Sequence, residues 1–147
     1  MKCTIRLLIL VFIISFSTTY GQGKFGLGII LGEPTGISAK VKVSSTTAFD
    51  GAIAWSFVNE GALHIHADLL LHTSDLISKV LPIYYGIGGR IKFRKDETRL
   101  GIRIPIGIVY DIPYIRIDLF GEIVPLLNLN PSTNFTMNAA VGGRFYF

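Results

Sequence analysis

Thiol chemistry is almost excluded from this 147-residue chain, which holds one cysteine, Cys3. A lone thiol closes no internal disulfide and builds no cysteine metal centre. Charge is scarce as well: 16% of residues are charged and the formal net charge is +4, too weak a field for the basic stripe that nucleic-acid binding requires. Long hydrophobic runs are missing beyond the first residues, where no stretch approaches the roughly 20 apolar residues of a membrane-crossing helix. Any membrane reading is therefore a strand reading.

The opening segment, "MKCTIRLLILVFIISFSTTYGQ", places Lys2 and Arg6 before an apolar run, Leu7 to Phe16, and a polar stretch through Gly21. That order is the pattern of a cleaved secretory signal peptide, residues 1–21, with cleavage near Gly21. The run is too short for a membrane anchor. Cys3 lies before it, not at the cleavage point, so a lipoprotein is not expected and the mature chain, 22–147, carries no thiol. Losing Lys2 and Arg6 leaves 12 basic residues against 10 acidic ones, a net charge of +2.

What the mature chain does have is alternation. In "IYYGIGGRIKFR", every second residue from Ile83 gives Ile83, Tyr85, Ile87, Gly89, Ile91 and Phe93, and the other set gives Tyr84, Gly86, Gly88, Arg90, Lys92 and Arg94. Successive side chains leave a strand on opposite sides, so this is a strand with two different surroundings. The pattern recurs and predicts eight strands, at 24–32, 37–44, 49–57, 62–72, 81–94, 99–110, 114–124 and 135–147, with a short helix or turn over 73–80. Short turn signals, "GEPTG", "SSTTA", "VNEG", "KDET" and "DIP", join them, and "LLNLNPSTN" is the one longer loop. Tight connections between alternating segments imply antiparallel hairpins in a single domain. Pro105, inside the sixth strand, predicts a bulge.

The face opposite the apolar one mixes charges with Gly86, Gly88, Gly101, Gly107, Ala52, Ala54, Ala140 and Gly142. Small residues among large polar ones suit the filled interior of a narrow closed sheet better than a solvated exterior. On the apolar face, Phe25, Phe49, Trp55, Phe57, Phe93, Tyr110, Phe135, Phe145 and Phe147 gather toward strand ends, the arrangement of aromatic girdles at lipid–water interfaces. The expected fold class is an all-β, eight-stranded antiparallel up-and-down transmembrane β-barrel with its apolar face outward. A secreted soluble barrel of lipocalin type, with the faces exchanged, is the competing architecture.

The segments "IILGEPTGIS", "FDGAIAWSF", "LHIHADLLLH", "LPIYYGIGGRIKF" and "NAAVGGRFYF" resemble a family of small, functionally uncharacterised bacterial outer-membrane β-barrel proteins. In architecture the chain is similar to the OmpA transmembrane domain and OmpX, but its outward turns are shorter, which tells against an adhesin or receptor built on loops. The resemblance implies residence in the bacterial outer membrane, outer-membrane lipid as a partner, and recognition by the barrel-assembly machinery through the C-terminal Phe147. The weak net charge, not the resemblance, is the reason no nucleic-acid partner is expected.

An outward apolar face leaves the lumen to Lys40, Lys42, Asp50, His64, His66, Asp68, Arg90, Lys92, Arg103, Arg116, Asp118, Glu122 and Arg144. Both signs are present, and confined charges pair because an isolated buried ion is very costly. The expectation is a salt-bridge plug in a mainly structural envelope protein, with a narrow anion-favouring pore for small solutes as the alternative. His64, His66, Asp68 and His72 share one face and are the only set resembling a metal site; a hydrolase would ask for Ser38, Ser44 or Ser56 beside one of these histidines. Neither spacing is distinctive, and no catalytic residue, metal or cofactor is expected. "YGIGGR" lacks the third glycine of a dinucleotide fingerprint and precedes no helix, and the sequon at Asn134 is a chance match.

Overall fold

The computed structural model describes residues 23–57, 61–73, 81–130 and 132–147. The signal segment, most of the 73–80 stretch and most of the turn "VNEG" lie outside them. Among the described residues the chain forms nine strands: β1 (Phe25–Gly32), β2 (Thr35–Lys42), β3 (Thr47–Ser56), β4 (Ala62–Thr73), β5 (Ile83–Phe93), β6 (Thr98–Arg103), β7 (Ile106–Asp111), β8 (Ile117–Asn130) and β9 (Asn134–Tyr146). All pairings are antiparallel and join the strands in one sheet. Because β4 pairs with β5 and β1 with β9, the sheet closes into a ring.

The ninth strand comes from Pro105. β6 and β7 lie end to end between β5 and β8, filling one position of the ring. The expected bulge at Pro105 is absent: β5 and β8 keep the same register with β6 on one side of the proline and with β7 on the other. Gly86 N donates to Pro105 O at 2.9 Å and Ile104 N to Pro125 O at 3.0 Å. A proline has no N–H to return to Gly86, so the ladder loses a bond without slipping. The register shift falls instead between Leu100 and Gly101, against β8.

A second correction concerns "LLNLNPSTN". Leu127 and Leu129 face outward and Leu126 and Asn128 inward, so the alternation continues through a 14-residue β8. Asn128 pairs with Asn134 on β9, and only three residues of sequence separate the end of β8 from the start of β9.

The stagger of the ring follows from its register. From Arg144 the pairs run through Gly28, Ser38, Ala52, His66, Arg90, Gly101 and Asn128 and return to the same strand at Asn134, ten residues from the start. Taking about 3.3 Å of rise per residue and about 4.8 Å between strands, that stagger over eight positions tilts the strands about 41° and gives a backbone radius of about 8 Å. Such an interior holds side chains and little else.

The faces separate as the alternation requires. Ile102, Ile104 and Ile106 are exposed, at 36%, 48% and 49%, while Arg90 is 6% and Arg103 0% exposed. Tyr85, Phe49, Tyr110, Phe145 and Phe147 stand outward near the end that carries both described termini, and Trp55, Phe57, Phe93 and Phe135 near the other. Inside, glycines admit their neighbours: a Cβ at Gly107 would overlap the Tyr84 ring, and one at Gly88 would overlap the Asp68 carboxylate.

Candidate functional site

Among the described residues, four cations and four carboxylates are buried inside the ring: Lys40, Arg90, Arg103 and Arg144 with Asp50, Asp68, Asp118 and Glu122. Alternation alone puts them there, since each sits in a strand whose other face is apolar. Two arginines organise the acids. Arg103 Nε lies 3.0 Å from both carboxylate oxygens of Asp68, and its Nη2 donates to Glu122 Oε1 at 3.4 Å. Arg144 Nη2 donates to Asp50 Oδ2 at 3.0 Å, Nε donates to Ser38 Oγ at 3.0 Å, and Nη1 lies 3.8 Å from Asp118 Oδ2. Each guanidinium thus bridges two carboxylates from different strands. The Phe120 ring lies 3.9 Å from the Arg144 guanidinium carbon.

Two tyrosines complete these groups. Tyr84 donates to Glu122 Oε2 at 2.9 Å and Tyr146 to Asp118 Oδ2 at 2.6 Å. Each two-acid, one-arginine group keeps one negative charge, and the other buried cations lie toward opposite ends of the ring. Near the end carrying the termini, Lys40 Nζ donates to His72 Nε2 at 2.8 Å and lies 5.5 Å from the Tyr84 ring. Toward the other end, Arg90 Nη2 donates to Asn128 Oδ1. Eight opposed charges with shared hydrogen bonds fill a space this narrow, which is what makes their burial tolerable.

Of the thirteen expected lumen residues, these eight meet in the interior together with His64 and His66, both buried. Lys92 is half-buried and 3.8 Å from Glu33 Oε1, an oxygen that also accepts the Ser56 hydroxyl. Lys42 is half-buried with its Nζ 4.1 Å from the Tyr146 ring centroid. Arg116 is the correction: it is exposed in the turn before β8, because that strand begins at Ile117 and not at 114. Sequence reasoning left out Glu33, Ser38, Tyr84, Asn128 and Tyr146 from the network. Three of these, Ser38, Tyr84 and Tyr146, already stood on the inward face by alternation, and only their lack of formal charge hid them.

The histidine stretch divides. His64 and His66 bond to each other, Nε2 to Nδ1 at 3.0 Å, instead of converging on a common point. His72, eight residues on and about 26 Å along the strand, belongs to Lys40. Ligand atoms of Asp50, His66 and Asp68 lie within 4.8 Å of one another, but Arg103 holds both oxygens of Asp68 and Arg144 holds Asp50. A metal cation placed there would face two guanidinium groups, so the carboxylates are arginine partners by charge. The serines are likewise engaged: Ser38 by Arg144, Ser56 by Glu33, and Ser44 by the amides of Thr46 and Thr47.

Comparison of the chain with protein-family models, curated proteins and solved structures finds no match in any of the three.

Proposed function

We propose that the chain is an integral β-barrel of the bacterial outer membrane, exported by a cleaved signal peptide, whose ion-paired lumen is plugged and structural. The observation that carries this reading is the inversion of the two faces: large apolar side chains stand exposed around the ring while its buried interior is charged. In water such an exterior is an aggregation surface, far beyond the few hundred Å² that soluble monomers show. In lipid it is the solvent-matched face, and a closed ring leaves no unpaired strand edge in the hydrocarbon.

Dimensions support the same reading. Between outward Leu100 and Tyr110, ten residues at the estimated tilt rise about 25 Å, the height of the apolar band of outer-membrane barrels. The aromatic groups at the two ends occupy the levels of the interfacial girdles. The even number of ring positions puts both chain ends at one end of the ring, which in this reading is the periplasmic end with the short turns, where Phe147 meets the barrel-assembly machinery. A soluble lipocalin-like binder needs the opposite assignment of faces.

Cell fractionation tests the membrane reading: the mature chain partitions with outer membranes, requires detergent for release, and migrates faster in unheated than in heated gel samples. Recovery of the folded chain in the aqueous fraction without detergent defeats it. The plug is tested separately in planar bilayers, where the wild type is electrically silent; steady anion-biased conductance by the wild type would establish the pore in its place.

A further inference from the structure

On the outer face, Gly121 of β8 differs from the glycines of the interior. A Cβ at Gly107 or Gly88 would overlap a neighbouring side chain, whereas one at Gly121 would meet only Val141 Cγ1, at 3.8 Å. Packing does not require glycine there. A glycine inside a strand weakens it, and often marks a place where something else comes close to the backbone.

The missing side chain leaves a groove. Gly121 and Ala139 lie on its floor, Leu31, Ile108, Ile123 and Val141 form walls, and its volume is about 620 Å³, within the range of about 300–1,000 Å³ for small-molecule sites. Register brings these residues together: Ile108 pairs with Gly121, Gly121 with Val141, Val141 with Leu31, and Ile123 with Ala139. Aliphatic walls favour a hydrocarbon occupant.

The same hairpin supplies a polar end to the groove. In the turn that joins β7 to β8, Tyr114 adopts a left-handed φ of 68° and is fully exposed, and Ile115 is 51% exposed. Glycine or asparagine would hold that conformation with less strain. Tyrosine and isoleucine instead put apolar surface at the tip, as suits a lipid–water interface. Arg116 follows, exposed, and among the described residues its guanidinium has no hydrogen-bond or ion-pair partner. Ile117, beside it, is four residues from Gly121, about 13 Å along the strand and about 10 Å of height at a tilt of about 41°. Half of a bilayer's hydrocarbon core is about 15 Å, so an acyl chain whose headgroup sits at Arg116 reaches the groove.

The charges of this rim are Lys24, Lys42 and Arg116 against Asp111 and the Phe147 carboxylate, while Asp118 is held inside by Tyr146 and Arg144. The undescribed stretch 74–80 adds Asp75 and Lys79, one of each sign. The balance is positive by one, and Asp111, on the same hairpin, does not pair with Arg116.

We propose that the β7–β8 hairpin holds one anionic glycerophospholipid of the periplasmic leaflet, with an acyl chain lying over Gly121 and the phosphate accepting from Arg116. This rests on the membrane reading above and adds to it a site, a headgroup charge and a leaflet. Guanidinium and phosphate meet as a charge-assisted fork, and the groove fixes where on the ring they meet.

Fluorescence quenching in vesicles of the refolded mature chain tests the site. The reporter is Leu119→Trp, outward between Arg116 and Gly121, in a Trp55→Phe background that removes the chain's one tryptophan. Brominated phosphatidylglycerol competes there with phosphatidylcholine, and a preference of about fivefold is expected, the size of one exposed charge-assisted contact. Arg116→Gln, at an exposed turn position that the fold tolerates, brings the two lipids to parity, and so does Gly121→Leu, which fills the groove. Lys24→Gln, on the same rim two ring positions away, leaves the preference unchanged. No preference in the reporter chain, a preference kept in Arg116→Gln or in folded Gly121→Leu, or an equal loss in Lys24→Gln overturns the proposal. The membrane reading survives those results as long as brominated phosphatidylcholine alone quenches the reporter; if no brominated lipid quenches it, both fall. Self-association of the chain that Gly121→Leu abolishes would assign the groove to a second copy and also overturn the proposal.

Discussion

The two faces of β4 share one backbone and have opposite chemistry. Outward stand Leu63, Ile65, Ala67, Leu69 and Leu71; inward stand Ala62, His64, His66, Asp68 and Leu70. In an ordinary soluble sheet the first set would be the core. Here Leu69 is 37% exposed and Asp68 is 2% exposed, so burial and apolarity are uncoupled. The inner face is held by pairing, which is specific and fails when one partner is removed. In the lipid setting proposed above, the outer face would be held by its solvent, which is unspecific and fails when a charge is added. Substitutions on each face therefore have different size, and the outer ones change with the medium.

The largest effect belongs to the inner face. Arg103→Met leaves Asp68 and Glu122 in the interior without their shared cation, and removing one partner of a buried ionic group costs about 3–5 kcal/mol. Urea unfolding of the refolded chain should show a loss of that order, with the wild-type fast-migrating gel form reduced or gone. Arg103→Met combined with Asp68→Leu recovers part of it, since a well-packed apolar replacement of a buried pair approaches neutrality. An Arg103→Met chain as stable as the wild type would mean that the interior is wet and its charges independently solvated.

The outer face gives the next effect and the sharper contrast. Ile106 stands near the middle of the outward row from Leu100 to Tyr110 and is 49% exposed. At a bilayer midplane Ile106→Arg costs about 2–4 kcal/mol, and Tyr110→Arg, near the rim, about 0–1 kcal/mol. On a water-exposed surface both would stay within about 0.5 kcal/mol. Unfolding measured in lipid vesicles decides: a depth-dependent penalty sharpens the comparison of faces, and two equal, negligible changes would erase it.

Much of this architecture was legible because a strand's period of two is rigid. The alternation at 83–94 fixed which residues face in, and those inward positions are where Arg90 and Lys92 lie. Turn residues located most hairpins to within a few positions. What alternation does not carry is partner choice across strands distant in sequence. Arg144 reaches Asp50 and Ser38 only because the ring closes β9 against β1, and nothing local to residue 144 reports the ten-residue stagger that sets those neighbours. Arg116 was misplaced because "DIPYIRID" continues the apolar alternation into a turn. The "NPSTN" loop was overestimated because asparagine and proline outweighed the outward Leu127 and Leu129. Uncharged inward donors such as Tyr84 and Tyr146 needed the carboxylate positions before their role could be read.

The smallest expected effect tests whether the ladder at Pro105 is continuous or only close to it. Pro105 is fully buried, so its ring belongs to the inner face, and its backbone lies opposite Gly86 with one of two possible bonds made. Pro105→Ala supplies the missing N–H, a gain of about 0.5–1.5 kcal/mol. Against this, the substitution removes ring atoms from the packed interior at about 0.8 kcal/mol per methylene and frees the unfolded chain, worth about 0.4–1 kcal/mol. With two methylenes lost, the losses outweigh the gain, so stability should fall by about 0.5–2 kcal/mol. Amide hydrogen exchange carries the decision instead: the new amide at position 105, if it bonds to Gly86 O, exchanges as slowly as its neighbours in β7. Fast exchange there would show that the unbroken register on both sides spans a real gap, and that the inner face is joined at this point by side-chain packing alone.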